Sequence, residues 1–377
     1  MKKRLLFAAL FSAALVSCTK DQVVEVQQDE IKFRVATENA TKAPVGAVAT
    51  NTNSIDNFRV IASLYTSDPV TVYMDETFTR TSPAGKWTAL NTKHFWPTNA
   101  LDFYAVSPST TTRVSNDGKT ITDYVADGNT DLLYSVKINQ TKTDNNPDVA
   151  LNFRHALSQI VFKAKNTNDK LGVAIKSVSV KKVLSKNTLT LSAATGNTED
   201  NLSSDTNAST ETSSKWGTWG TATVYADYDA IITEDADLQV SENTITLTAD
   251  NKGLLLMPQD LTPWAPSTDE DNSSNGSYFL ITCKIWNKVN ANSAKNESVY
   301  LHGSAEDYAE VAIPTTDIVW QQGKKYVYTF IFGDGAGYID PTDPVEPGDP
   351  VLLPIKLAVT VDEFQSATGI DVPMATN

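Results

Sequence analysis

Residues 278–286 read Tyr278-Phe-Leu-Ile-Thr-Cys-Lys-Ile-Trp286 and place Phe279, Ile281, Cys283 and Ile285 on one face of an extended chain, because successive side chains of a strand point to opposite faces. The same period of two recurs on either side. Ile31-Lys-Phe-Arg-Val35 alternates apolar and charged, and Phe58, Val60, Ala62 and Leu64 line one face of the next run. Leu101-Asp-Phe-Tyr-Ala-Val106 follows and is stopped by Ser107-Pro108. Ile160, Phe162 and Ala164 continue the pattern, as do Val178 with Val180 and Ile245 with Leu247. Tyr326, Tyr328, Phe330 and Phe332 come next. Ile355, Leu357, Val359 and Val361 close the series, with Lys356, Ala358 and Thr360 opposite. Thr, Val, Tyr, Phe and Trp fill these runs, and Asn, Asp, Gly and Pro bound them. Long amphipathic helices are absent. The chain reads as all-β, a mostly antiparallel β-sandwich in two copies.

The polar stretch Asn145-Asn-Pro-Asp148 separates two similar successions of strands. It sets the expected domains at 30–145 and 146–377. Residues 192–214 and Ser267 to Ser277 are low-complexity and polar, and read as solvated insertions. Trp216 and Trp219 after the first insertion keep open a glycan- or receptor-contacting loop. In Asp340-Pro-Thr-Asp-Pro-Val-Glu-Pro-Gly-Asp-Pro350, prolines fall at 341, 344, 347 and 350 and acids at 340, 343, 346 and 349. Period three suits polyproline II, so 340–350 is expected to be a stiff, extended, acidic spacer. It leads to a terminal strand at 355–364. That strand either completes its own domain or is carried by the arm to a neighbour.

The chain has 377 residues and a formal charge of −14. A balance that acidic repels nucleic acid and anionic lipid headgroups and excludes both as partners. Only Cys18 and Cys283 are present. With Cys18 assigned to the N-terminal signal described next, no intramolecular disulfide framework is expected. Cys283 on its apolar face reads as a buried structural thiol.

The N-terminus carries Lys2, Lys3 and Arg4, then an apolar run from Leu5 to Val16, then Ser17-Cys18. The run is too short to span a bilayer. The pattern resembles a bacterial lipobox. That resemblance implies a signal peptide at 1–17, acylation of Cys18 and a tether at 18–29. Cleavage before Cys18 removes three cations and no acids, which takes the charge from −14 to −17. Acyl chains, at about 0.8 kcal/mol per buried CH₂, hold such a chain to outer-membrane lipid without a spanning helix.

Enzyme chemistry has no foothold. His94, His155 and His302 are not at metal-ligand spacing. No nucleophile elbow, phosphate loop or dinucleotide fingerprint occurs. Asp269-Glu-Asp271 is a loop triplet. Asp334, Asp340 and Asp343 lack the order of a calcium loop. No catalytic residue, metal site or cofactor is assigned.

Six segments together resemble the fimbrillin (FimA/Mfa-like) family of surface pilins. They are Thr41-Lys-Ala43; His94-Phe-Trp-Pro97 with Leu101 to Pro108; Phe153-Arg-His-Ala-Leu-Ser-Gln-Ile-Val-Phe-Lys-Ala-Lys165; Gly253-Leu-Leu-Leu-Met-Pro-Gln259; Trp320-Gln-Gln-Gly-Lys-Lys-Tyr-Val-Tyr-Thr-Phe330; and Ile355 to Phe364. The resemblance implies two transthyretin-like sandwiches in tandem and a type V pilus subunit lipoprotein at the cell surface. It implies assembly with other fimbrial subunits by strand exchange, after a trypsin-like protease removes the first strand. It also implies adhesion to host or bacterial surface receptors. Within it, 30–42 is a removable pro-strand whose Ile31, Phe33 and Val35 fill a groove, and Ile355, Leu357, Val359 and Val361 form the candidate donor strand. Lys42 is the only Lys or Arg between Ala36 and Asp56, so processing is expected after it. The competing reading is a monomeric surface lipoprotein that binds glycans.

Overall fold

The computed structural model describes residues 29–37, 55–81, 86–144, 148–191, 217–230, 232, 236–238, 241–249, 253–268, 272–288, 299–333, 337–351 and 356–363. Its strands in chain order are β1 (Phe33–Thr37), β2 (Asn57–Leu64), β3 (Val72–Thr79), β4 (Thr88–Ala89), β5 (Leu101–Ser107), β6 (Thr120–Val125), β7 (Leu133–Gln140), β8 (Val149–His155), β9 (Ser158–Asn166) and β10 (Leu171–Thr190). They continue with β11 (Thr218–Trp219), β12 (Val224–Asp229), β13 (Ala236–Leu238), β14 (Ser241–Thr246), β15 (Leu254–Leu256), β16 (Gln259–Asp260), β17 (Tyr278–Asn287), β18 (Val299–His302), β19 (Ala309–Pro314), β20 (Val319–Trp320), β21 (Lys324–Phe332), β22 (Tyr338–Ile339) and β23 (Lys356–Glu363). The protein is all-β, as the alternation requires. Pairing is antiparallel except between β1 and β8 and between β9 and β21.

A first sheet runs β1-β8-β7-β5-β2-β3-β4. Phe58, Val60, Leu101, Phe103, Val149, Leu151 and Phe153 bury one of its faces. Tyr104, Val106, Tyr134, Val136 and Ile138 bury the other. Burial on both faces explains why Leu101-Asp-Phe-Tyr-Ala-Val106 is nearly continuous in apolar residues. The second core lies between two further sheets, one centred on β10, β17 and β19 and one ordered β14-β9-β21-β23. Phe162, Tyr328 and Phe330 meet Phe279, Ile281, Val178 and Val311 there, which is sandwich packing. Cys283 is fully buried in this layer, as its place in the alternation implied. Burial pushes its thiol up to about 12, so it stays protonated and inert. In β10 the inward parity changes from Val173 and Ile175 to Val178 and Val180, because a bulge falls between Ile175 and Ser177.

The chain changes sheets at Ala156 and Leu157, both fully buried, rather than at 145. Asn145-Asn-Pro-Asp148 precedes β8, which is still a member of the first sheet. The two halves also interlock. β6 leaves the first half and pairs with the far end of β10. Ile121, Leu189, Leu191, Leu255 and Met257 then form one cluster with Tyr134 and Val136. Polar groups are matched across the same joint. The Gly217 N–H donates to the Tyr134 hydroxyl at 2.7 Å, and the Ala126 N–H donates to the Ser185 carbonyl at 2.9 Å.

Candidate functional site

β1 is the end strand of its sheet, and among the described residues β8 is the strand that pairs with it, in the register Phe33↔Val149 to Thr37↔Phe153. Phe33 of β1 reaches β2, β3 and β5 through the core. Phe33 is 5 % exposed and Ile31 3 %. The Phe33 ring lies edge-on to Phe78 at 4.8 Å, Phe103 at 5.7 Å and Phe58 at 6.0 Å. Val35 is half-buried against the same cluster. Lys32 and Arg34 point to solvent, as the alternation of apolar and charged residues demands. Ile31 and Phe33 thus fill an apolar groove walled by Phe58, Phe78, Phe103 and Val149.

The segment before β1 is held by a loop. The Ile31 N–H donates to the His94 carbonyl at 2.8 Å, and the Trp96 N–H donates to the Asp29 carbonyl at 3.0 Å. Exposed ion pairs Lys93–Glu30 (3.4 Å) and Lys142–Asp29 flank this contact and add little. Glu76 shapes the loop from beneath. Its carboxylate is 4 % exposed and accepts from the N–H groups of Thr77 (2.9 Å), Thr92 (2.9 Å) and Asn91 (3.3 Å) and from the Asn91 amide (3.0 Å). Burial pushes this carboxyl up, yet the donors from Thr92, Thr77 and Asn91 outweigh it and hold the carboxyl below its ordinary range. The sequence reading passed over Glu76. The signal was there, since Glu76 sits at an inward position between Met74 and Phe78, both buried.

β23 is the end strand of another sheet. It pairs with β21 from Ile331↔Lys356 to Lys324↔Glu363 and ends its sheet. Val359 is buried and Leu357 packs against the second core, but Val361 is 48 % exposed. The expected single apolar face is therefore partial in this position, and Ile355 lies outside the described residues. The stretch 340–350 is not an extended rod. The Asp340 side chain accepts from the Thr342 N–H at 2.8 Å, and that of Asp343 accepts from the N–H groups of Val345 at 2.8 Å and Glu346 at 3.0 Å. These aspartate-capped turns fold the chain back, so that the Ile339 N–H meets the Asp349 carbonyl at 2.8 Å and the Gly348 N–H meets the Ile339 carbonyl at 3.2 Å. Local side-chain capping outweighs the polyproline period.

Other expected site residues scatter. Cys18 and Lys42 lie outside the described residues, as does Trp216. Trp219, half-buried, donates its indole N–H to the Ala156 carbonyl at 3.0 Å and so helps to secure the joint between the halves. His155 meets Asp131 at 2.5 Å, and His94 is held in the loop beside β1. Among the described residues no group of three His, Cys, Asp or Glu side chains is placed to hold a metal, and no helix is long and apolar enough to cross a membrane.

Comparison with known proteins follows the same architecture. The family described as fimbrillin-like matches residues 34–343. A crystal structure of a fimbrial protein from Bacteroides vulgatus is similar with a TM-score of 0.55 at 16 % identity, covering 89 % of this chain and 99 % of that one. A candidate cell adhesion protein from Bacteroides uniformis reaches a TM-score of 0.43 at 15 % identity over 89 % and 99 %. The tip fimbrial protein Mfa3 from Porphyromonas gingivalis, with C-terminal truncation, reaches 0.34 at 7 % over 82 % and 94 %. The likeness to the first shows a shared fold. No match was found among curated proteins.

Proposed function

The chain belongs to the fimbrillin-like family, and from that premise we propose that it is a structural subunit of a surface fimbria that assembles by protease-triggered strand exchange and supports cell adhesion. The observation that carries this reading is the seat of β1. Two deeply buried side chains, Ile31 and Phe33, plug the first core from an end strand, and the basic residue Lys42 follows that strand in sequence. Burying each side chain contributes about 1.5–3 kcal/mol, with about 0.5–1.5 kcal/mol more for each aromatic contact. Removing the strand exposes an apolar groove and the unpaired edge of β8, and both are satisfied when a strand of another subunit enters.

β23 is the candidate donor. It is an end strand, and exposed Val361 loses nothing by leaving its present position. Leu357 and Val359 would exchange one apolar environment for another. Acylated Cys18 would tether the precursor at the outer membrane until a trypsin-like protease cuts after Lys42. N-terminal sequencing of assembled fibres tests the order of events. Fibres are expected to begin at Ala43, and Lys42→Ala is expected to leave the subunit unassembled. Fibres beginning at Cys18 would remove the processing step.

A further inference from the structure

A second feature lies at the joint between the two halves, away from β1 and β23. An open groove of about 420 Å³ runs between the segment after β5 and the crossing strand β6, with Lys186 of β10 in its wall. This volume falls within the roughly 300–1,000 Å³ of small-molecule sites. Two residues in its wall, Arg113 and Asp123, hold φ values of +61° and +51°. That conformation is uncommon outside glycine and gathers at binding sites. It results from a tight hairpin in which the Arg113 carbonyl accepts from the Thr122 N–H at 3.0 Å, which brings Arg113 and Asp123 side by side.

The charges in the groove cancel. The Asp123 carboxylate receives Arg113 Nη1 at 2.5 Å and Lys186 Nζ at 3.1 Å. Asp127 is engaged by the Thr130 hydroxyl at 2.6 Å and by the N–H groups of Asn129 and Thr130. Nothing in the groove's net charge draws an ion, and the chain's charge of −14 repels acids. Donor and acceptor capacity nevertheless remains. A carboxylate offers about four lone-pair sites and a guanidinium five N–H groups, and both planar groups suit bidentate hydrogen bonding. Exposed Thr110 and Thr112 add hydroxyls to the same wall. An apolar strip lies alongside. Val125 is 58 % exposed, and its cross-strand partner Lys186 also pairs with Val224, itself 49 % exposed. Tyr124 lines the groove, its ring 6.1 Å from that of Trp219.

A neutral molecule with adjacent hydroxyls on one side and C–H faces on the other fits this combination. We propose that the joint groove binds a short neutral oligosaccharide, with Arg113 and Asp123 holding a pair of neighbouring hydroxyls and exposed Val125 meeting the apolar face of the ring. The site is complete in one subunit and independent of strand exchange.

The full mature chain should be tested on an array of neutral, sialylated and sulfated oligosaccharides, with calorimetry on the best neutral ligand. Neutral oligosaccharides are expected to bind, and Arg113→Ala and the isosteric Asp123→Asn are each expected to weaken binding about tenfold, the loss of one charge-assisted hydrogen bond. Melting temperature and fibre assembly should stay unchanged. In the wild-type chain, bound glycan should slow amide hydrogen exchange at 108–130 and near Lys186 only. No binding, binding confined to acidic glycans, full binding by both variants, or protection elsewhere would each overturn the proposal.

Discussion

Glu76 shows how one inward carboxylate organises the site. Its folded form is held below the ordinary carboxyl value of 4.5, so the folded state takes up a proton less readily than the unfolded chain. The stability this contributes is present above the ordinary value and is lost as pH falls through the lower folded one. Glu76→Gln keeps one oxygen for the Thr77 and Asn91 donors but sets its amide N–H₂ against the Thr92 N–H that Oε2 now accepts, and should cost about 1–3 kcal/mol at neutral pH. Thermal melting of both proteins from pH 7 downward checks this. The gap should be widest at pH 7 and close on acidification, because the variant has no carboxyl to protonate there. A gap independent of pH would assign the effect to packing alone. Gly172 illustrates close approach at the same scale. A Cβ there would sit 2.0 Å from the Trp286 ring that crosses it, so this strand tolerates no side chain opposite Trp286.

At the scale of elements, β1 seats Phe33 in the first core. Phe33→Ala should destabilise the uncut subunit by about 3–5 kcal/mol, as large aromatic truncations in cores do. Denaturant unfolding before and after cleavage separates its role from that of the remaining core. The two proteins should differ before the cut and coincide once residues up to Lys42 have left. The inward residues of β2, β5, β9, β17 and β21 were readable because each strand buries at least one face, so alternation reports position directly. Three features were not. β10 changes parity at its bulge, which period counting cannot anticipate. The period-three spacing of 340–350 predicts charges on a rod, whereas the Asp340 and Asp343 side chains cap turns. The change of sheet at Ala156 and Leu157 carries no polar punctuation, because both residues are buried in the joint. Within the site, Ile31 and Phe33 were legible from alternation. Alternation also marks Glu76 as inward between Met74 and Phe78, but its partners Asn91 and Thr92 and the loop at His94 were not legible, since those contacts are distant in sequence.

For the whole molecule, the crossing of β6 onto β10 and the cluster around Tyr134 give the two halves a continuous apolar and hydrogen-bonded joint. The end strands β1 and β23 lie at the edges of different sheets, so the proposed exchange would accept a neighbour at one sheet and donate at another. The most direct measurement is limited trypsin treatment of the purified full chain, followed by denaturing gels without boiling and mass analysis of the released peptide. Strand exchange after cleavage at Lys42 requires loss of a peptide ending at Lys42 and a ladder of stable multimers, with Lys42→Ala remaining a monomer. A chain that loses that peptide yet stays compact, soluble and monomeric at high concentration would contradict it.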